Sequence, residues 1–265
     1  MRRVNITSAT AGEAWPARLA WLAVSLLGFL LFWEIAARIA TGVYQYRYLP
    51  GPSTVWEVAL REIHSGDLIM HIAITMRRVA ITFVFSMLIG IVIGIVLGRV
   101  KWADQFFDGW LIFFLNLPAL VIICLCYVWF GREELAAIIA VSINKIPNVA
   151  VMVREGTRNL SRDLGEMAEM YGFGWWKTLR HVTLPQLAPY FMTAARTGLS
   201  LVWKIVLVVE LLGRSNGVGF QLGVFFQTFD VAAMLAYSLA FILVVQLIEI
   251  AILQPITARV NKWRR

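Results

Sequence analysis

The 265-residue sequence has few of the residues from which catalytic and metal sites are built. It contains two cysteines and three histidines, and only 15% of its residues are charged. Cys124 and Cys126 are two positions apart, so they point to different faces of a helix, and the histidines are widely separated. The nucleotide-binding pattern GxxxxGK followed by Ser or Thr, the HExxH pair and the CxxC pair are all absent. We therefore expect no metal site, no cofactor and no enzymatic site in this chain.

Apolar residues are abundant instead, at 60% of the sequence, and the mean hydropathy is +0.73. Soluble domains contain about 45–50% apolar residues, and a membrane-spanning helix needs about 20 in succession. The sequence predicts an all-α polytopic membrane protein, with a cytoplasmic N-terminal segment over residues 1–18 and a single transmembrane domain over residues 19–265. Its six transmembrane helices are expected at about residues 19–40, 79–98, 106–130, 134–153, 190–212 and 231–253.

The cationic residues are distributed unevenly between the two ends of these six segments. Six spans place both termini on one side, and cytoplasmic loops are enriched in lysine and arginine, so both termini should face the cytoplasm. The net charge of +8 is thus a signal of topology, and no nucleic-acid partner is expected. The proposed cytoplasmic side carries fourteen cations: Arg2, Arg3, Arg18, Arg99, Lys101, Arg154, Arg158, Arg162, Lys177, Arg180, Arg259, Lys262, Arg264 and Arg265. The other side carries seven: Arg38, Arg47, Arg61, Arg77, Arg78, Arg132 and Arg214.

Two further patterns predict local structure. The stretch YLPGPSTVWEVALREIHSG, residues 48–66, reads as a helix break followed by a short interfacial helix. In the second predicted span, small residues at every fourth position allow two helix backbones to approach closely. The partner of this small-residue stripe can belong to this chain or to a second copy; the stripe consists of Ser86, Gly90, Gly94 and Gly98.

The segment over residues 160–185 interrupts the apolar pattern with charges, two adjacent tryptophans and a proline. It predicts a short amphipathic helix, a turn at Gly172 and a second short helix. Thr183 is expected to cap the next helix and Pro185 to lie in its first turn. From the residues alone, this pair of helices either lies on the bilayer surface or docks on another protein. The apolar stripe of the first helix consists of Leu164, Met167, Ala168 and Tyr171.

The same segment resembles the EAA-type loop of permease subunits in binding-protein-dependent ABC importers. That loop reads E-A-A, three residues, G, nine residues, then I-x-L-P. Five residues fit at the expected spacing, Val182 replaces the isoleucine and Met167 replaces the middle alanine; the five are Glu166, Ala168, Gly172, Leu184 and Pro185. The stretches LPGPSTVWEVAL, YVWFG and VVELLGRSNGVGF extend the resemblance to permeases that serve nitrate, taurine and aliphatic sulfonates.

The resemblance implies a type I ABC importer permease fold and a role as the membrane-spanning subunit of an ATP-driven importer for a small anionic solute. It implies partners as well: two ATP-binding subunits that hold Mg-ATP and hydrolyse it, a second permease copy in a homodimer, and an extracytoplasmic solute-binding protein. The expected location is the bacterial inner membrane. The residues implied to contact the ATP-binding subunit are Glu166, Ala168, Gly172, Trp175, Trp176, Val182, Leu184 and Pro185.

Charged residues inside predicted spans are costly and are candidates for function. Lys145 lies near the middle of the fourth span, and we hypothesise that it lines a hydrated path and favours an anionic solute. A structural alternative for Lys204 is an ion pair with Glu34 or Glu210. The full set of candidates for the path is Asn116, Asn144, Lys145, Asn148, Lys204 and Glu210.

A stand-alone secondary transporter, driven by an ion gradient, is the alternative function. Such proteins often contain inverted repeats and helices broken near the bilayer midplane. The sequence contains no convincing internal duplication, and this favours the importer subunit.

Overall fold

The computed structural model describes residues 14–44 and 49–256, and within these ranges all regular structure is helical, as predicted. Residues 1–13 of the predicted N-terminal segment, and both termini, lie outside the described residues. Two five-residue π-helical turns, Leu179–Thr183 and Glu249–Leu253, are also present. The helices are α1 (Ala14–Tyr44), α2 (Pro52–Ser65), α3 (Asp67–Arg99), α4 (Lys101–Asn116), α5 (Ala119–Phe130), α6 (Glu134–Arg158), α7 (Arg162–Met170), α8 (Trp175–Thr178), α9 (Leu184–Gly213), α10 (Val218–Thr228) and α11 (Val231–Ile248).

Four described helices are long and apolar enough to cross a membrane: Ala23–Gly42, Asp67–Arg99, Glu134–Arg158 and Val231–Ile256. The fifth predicted span lies within the 30-residue α9, which has sufficient length but carries three charged residues. A count of six spans therefore stays a prediction. The charged residues of α9 are Arg196, Lys204 and Glu210.

The third predicted span, at 106–130, is not one straight helix. α4 and α5 qualify as a span only when taken together, and they are bent by 94° where they meet. The break is at Leu117 and Pro118. Proline has no backbone N–H and disfavours helical geometry in the residue before it, and Leu117 is accordingly extended, with ψ of 127°.

The core of the bundle forms where α6 packs between α3 and α9. The small-residue stripe of α3 lies against α6 of the same chain. A Cβ added at Gly94 would lie 2.6 Å from the Val153 Cβ and 2.7 Å from the Ala150 carbonyl oxygen. The contact repeats one turn earlier, where Gly90 faces Val149. The stripe thus identifies an intrachain helix pair, which answers the question that the sequence left open.

The short helix predicted after the first span is α2, and it fixes α1 to the rest of the chain. The Glu34 carboxylate of α1 accepts hydrogen bonds from the Ser53 N–H at 3.3 Å and from the Ser53 hydroxyl at 3.1 Å. The Trp33 indole N–H donates to the Pro50 carbonyl at 3.0 Å. A carboxylate near the first turn of α2 also complements the helix dipole, so this contact orients α1.

Candidate functional site

The coupling segment, residues 160–185, contains a sharp turn at the end of α7. The Phe173 N–H donates to the Ala168 carbonyl and the Gly172 N–H donates to the Glu169 carbonyl, each at 2.9 Å. This pair of hydrogen bonds is a Schellman motif, and Gly172 takes its left-handed position, with φ of 64°. The glycine expected at this turn is therefore the residue that ends α7.

The coupling segment is tied to the bundle at both of its ends. The Arg99 guanidinium at the end of α3 donates to the Thr183 hydroxyl at 2.8 Å, and the Ser161 N–H donates to the Gln186 side-chain oxygen at 2.9 Å. The prediction that Thr183 caps the next helix is wrong. Its backbone is already helical, with φ of −73°, because the chain continues through the π turn into α9, and its side chain makes no capping bond. Pro185 does lie in the first turn of α9, as predicted.

Between these two attachments, the coupling segment exposes large apolar and aromatic side chains. Ala168 is only 1% exposed, but Met170 is 88% exposed and Tyr171 is 75% exposed. Trp175 and Trp176 follow at 70% and 63%, with their ring centroids 5.9 Å apart. Of the apolar stripe predicted on α7, only Ala168 is buried within the described chain, and the rest forms an apolar surface.

The other residues implied for the contact with an ATP-binding subunit lie on the same segment. Val182 is half-buried, and the remaining four are exposed: Glu166, Gly172, Leu184 and Pro185. Exposure makes these side chains accessible to a partner, and their role there stays a prediction.

Lys145 is buried between α6 and α9. It is 2% exposed, and its Nζ donates to the Ala194 carbonyl oxygen at 3.2 Å. The ammonium group occupies the space above Gly198, where a Cβ would overlap it. Among the described residues no carboxylate lies within ion-pair distance of this nitrogen. A buried cation without a counter-charge is costly, so Lys145 calls for a functional explanation.

The remaining candidates for the path are spread over the bundle. Asn144 and Asn148 lie next to Lys145 on α6, whereas Asn116 is exposed at the end of α4. Each asparagine side chain donates to the carbonyl four residues earlier in its own helix. Lys204 is exposed, with its Nζ 5.5 Å from the centre of the Trp203 ring. The structure groups only the three α6 residues.

The ion pairs suggested for Lys204 are wrong, because both carboxylates have other partners. Glu34 is paired with Arg38 at 2.8 Å in α1. Glu210 is 0% exposed and accepts a hydrogen bond from the Arg78 guanidinium. Glu210 therefore belongs to a buried polar cluster at the turn between α9 and α10, at the opposite end of α9 from the coupling segment.

The sequence does not predict this turn cluster, because the second span is expected to begin at residue 79. α3 begins at Asp67, so Arg78 lies well inside it and is 1% exposed. The sequence does carry a signal, since polar residues at helical spacing continue the small-residue stripe toward the start of α3: His71, Thr75, Arg78 and Thr82. The turn cluster consists of His71, Thr75, Arg78, Glu134, Glu210, Arg214 and Asn216.

The known proteins that this chain resembles are membrane components of transport systems. A model of the family described as binding-protein-dependent transport system inner membrane component matches residues 86–254. The permease protein SsuC of Escherichia coli (strain K12), whose name refers to aliphatic sulfonates, is 30% identical over 213 residues, 80% of this chain and 80% of the relative. The taurine transport system permease protein TauC of the same organism is 25% identical, covering 78% of this chain and 77% of the relative. A solved structure of the inward-facing MetNI methionine ABC transporter superposes with a TM-score of 0.63 at 19% identity, covering 75% of this chain and 98% of that chain.

Proposed function

The chain belongs to the binding-protein-dependent transport system inner membrane component family and is a permease subunit of an ABC importer, and from this premise we propose that it forms the translocation path for a small anion. Members of this family work with an ATPase and a binding protein. The family assignment decides against the stand-alone secondary transporter.

We propose that the coupling segment docks on the ATPase subunit. The observation that carries this is the exposed apolar surface of Met170, Tyr171, Trp175 and Trp176, because contiguous exposed apolar patches mark interaction sites. Tryptophan and tyrosine are also enriched among the residues that dominate binding energy. The partner binds and hydrolyses Mg-ATP, and its closing motion reaches the spans through α7, α8 and α9. This permease hydrolyses no ATP itself.

The surroundings of Lys145 support the proposal that the solute is an anion. The register in which Gly90 packs on Val149 places Ser86 of α3 opposite Lys145, one turn earlier. The hydroxyl groups of Ser86 and Ser142 are both buried and have no hydrogen-bond partner among the described residues. A buried cation on α6, together with unpaired hydroxyl groups on α3 and α6, suits a sulfonate or carboxylate. The relatives named for aliphatic sulfonates and taurine point to the same chemistry.

We propose the oligomeric state from the single coupling segment of each chain, and the orientation in the membrane from the distribution of cationic residues. One chain carries one coupling segment, so a homodimer with two ATPase subunits gives each ATPase its own contact. The excess of cationic residues at the coupling-segment end favours the cytoplasmic side for that end and for both termini, in the bacterial inner membrane. The turn cluster then lies at the extracytoplasmic end, where the binding protein delivers the solute.

Co-purification with the cognate ATPase subunit tests the docking proposal. The double variant Trp175→Ala/Trp176→Ala should retain membrane insertion, but the amount of ATPase subunit that co-purifies with it should fall at least tenfold. The reason is that each tryptophan contributes about 150–250 Å² of aromatic surface that the ATPase subunit would bury. Trp56→Ala/Trp129→Ala is the matched control, since those tryptophans are 65% and 68% exposed outside the coupling segment. Equal ATPase recovery from the two double variants would contradict the proposed contact.

A further inference from the structure

The first turn of α10 is held by side chains from two other helices. The N–H groups of residues 217–219 donate in succession to His71 Nδ1 at 3.0 Å, Thr75 Oγ1 at 2.8 Å and Glu210 Oε2 at 2.9 Å. N–H groups at a helix start have no partner within the helix, and a carboxylate there also complements the helix dipole. α3 and the end of α9 therefore cap α10.

The tautomer of His71 follows from this arrangement. Because Nδ1 accepts from the Gly217 N–H, a neutral imidazole carries its proton on Nε2. The Gln221 side-chain nitrogen is placed 2.7 Å from Nε2; because Nε2 carries the proton, we assign the amide in the opposite orientation, with its oxygen accepting from the ring. His71 thus connects α3 to α10 at two points.

The charges of the turn cluster balance each other. Arg78 donates to Glu210 through one terminal nitrogen, and to Glu134 through Nε and Nη2 at 2.8 Å each. Nη2 also donates to the Asn216 side-chain oxygen at 3.0 Å. Arg214 supplies the second cation, with its guanidinium 3.0 Å from Glu134. Two cations and two carboxylates bring α3, α6, α9 and the turn together.

The turn itself leaves no room between its backbone and α9. Gly217 has φ of 106°, a conformation that side chains other than glycine rarely adopt. A Cβ there would overlap the Glu210 carboxylate, and one at Gly219 would overlap the Leu207 carbonyl oxygen. Val218, between these two glycines, is 0% exposed.

We propose that Glu210, held by Arg78, clamps the turn between α9 and α10 onto α3 and keeps this end of the path closed. Glu210 is thus a positioning residue for transport. The inference rests on the proposed function, which makes this the extracytoplasmic end. Removing one partner of a buried ion pair leaves an uncompensated charge, so the clamp does not open by separating Arg78 from Glu210. When this end of the path opens, the turn, α3 and the start of α6 therefore move as one unit.

Accessibility of residue 218 tests the clamp in the full complex in intact cells. In a background with Cys124→Ser and Cys126→Ala, Val218→Cys should react slowly with a membrane-impermeant maleimide. Adding Glu210→Gln should raise the labelling rate at least tenfold and reduce uptake, with unchanged amounts of protein in the membrane. Glu133→Gln is the matched control, because it removes an exposed carboxylate at the same end. Equal labelling rates with and without Glu210→Gln would overturn the proposal.

A double variant separates the clamp from a general loss of folding. Arg78→Met alone should raise labelling at residue 218, and Arg78→Met/Glu210→Gln should raise it less than the product of the two single effects. The reason is that no unpaired charge remains between them, while Glu134 keeps Arg214. Strictly multiplicative effects would overturn the pairing. The amount of co-purified ATPase subunit should be the same in all these variants as in the parent protein. If the parent protein itself retains no ATPase subunit, the proposed function fails, and that outcome is distinct from a failure of the clamp.

Discussion

At the scale of single residues, Lys145 is the buried cation of the described chain that has no carboxylate partner, whereas Arg78 and Glu210 pair with each other. Its ammonium group has one acceptor in the described chain, the Ala194 carbonyl at 3.2 Å, and it fits there only because residue 198 is glycine. A carbonyl oxygen offsets part of the cost of burial but supplies no negative charge. We propose that a passing anion supplies that charge, which is the reason for assigning Lys145 a part in selecting the solute.

Replacing Lys145 by methionine should reduce anion uptake at least tenfold without reducing the amount of inserted protein. Methionine keeps an unbranched side chain above Gly198, one heavy atom shorter than lysine, and removes the positive charge. Uptake of methanesulfonate, and of taurine through its sulfonate group, each with the cognate binding protein, measures the effect. Lys101→Met is the control, since Lys101 is exposed at the start of α4. Unchanged uptake of every anion transported by the parent would refute a role for Lys145.

The sequence predicts Lys145 near the middle of an apolar helix, and in the structure it lies near the middle of α6, but the sequence could not identify its acceptor. Position along a helix follows from the limits of the apolar run, whereas the contact with Ala194 depends on how α6 and α9 cross. For Arg78 the sequence is misleading about position as well. The sequence predicts it just before the second span, on the outer side, whereas its burial depends on carboxylates 56 and 132 residues away in sequence.

At the scale of elements, the end of α7 determines how the coupling segment presents its apolar side chains. The motif that suggested this segment also predicted the glycine that the Schellman turn requires, at Gly172. Spacing alone can reveal such a turn, because the left-handed position is a local property of the backbone. Docking on the ATPase involves a second protein, so no pattern within this sequence could establish it.

Gly172→Leu should leave membrane insertion intact and abolish ATP-driven uptake. A residue other than glycine in the left-handed conformation costs about 1–2 kcal/mol, and nothing lies within 4 Å of the Cβ position, so the effect comes from the turn rather than from a clash. Gly172→Asn is the control, because asparagine tolerates this conformation and should retain uptake. Normal transport by the leucine variant would show that the turn does not transmit motion.

Two other elements were not predicted, each for a physical reason. α10 has 11 residues, too few for a span, and its first turn depends on acceptors from α3 and α9. The break between α4 and α5 contains a single proline, Pro118, within an otherwise apolar run. Hydropathy averages over such a break, so the sequence predicted one span where the structure has two helices at 94°.

At the scale of the whole molecule, side-chain contacts show which helix ends lie together at each end of the bundle. The end of α3 contacts the coupling segment through Arg99 and Thr183. The start of α6 contacts the turn after α9 through Glu134 and Arg214, 3.0 Å apart. α4 and α5 connect the end of α3 to the start of α6, so the bent pair passes from one end of the bundle to the other despite its break.

Cysteine labelling should therefore place Lys101 and Arg132, which flank α4 and α5, on opposite sides of the membrane. With Cys124→Ser and Cys126→Ala in place, Arg132→Cys should react with a membrane-impermeant maleimide in intact spheroplasts, and Lys101→Cys only after permeabilisation. The reason is that the excess of cations lies at the end that carries Lys101, which makes it the cytoplasmic end. Labelling of both residues from outside would show that the bent pair does not cross, and the reverse pattern would invert the proposed orientation.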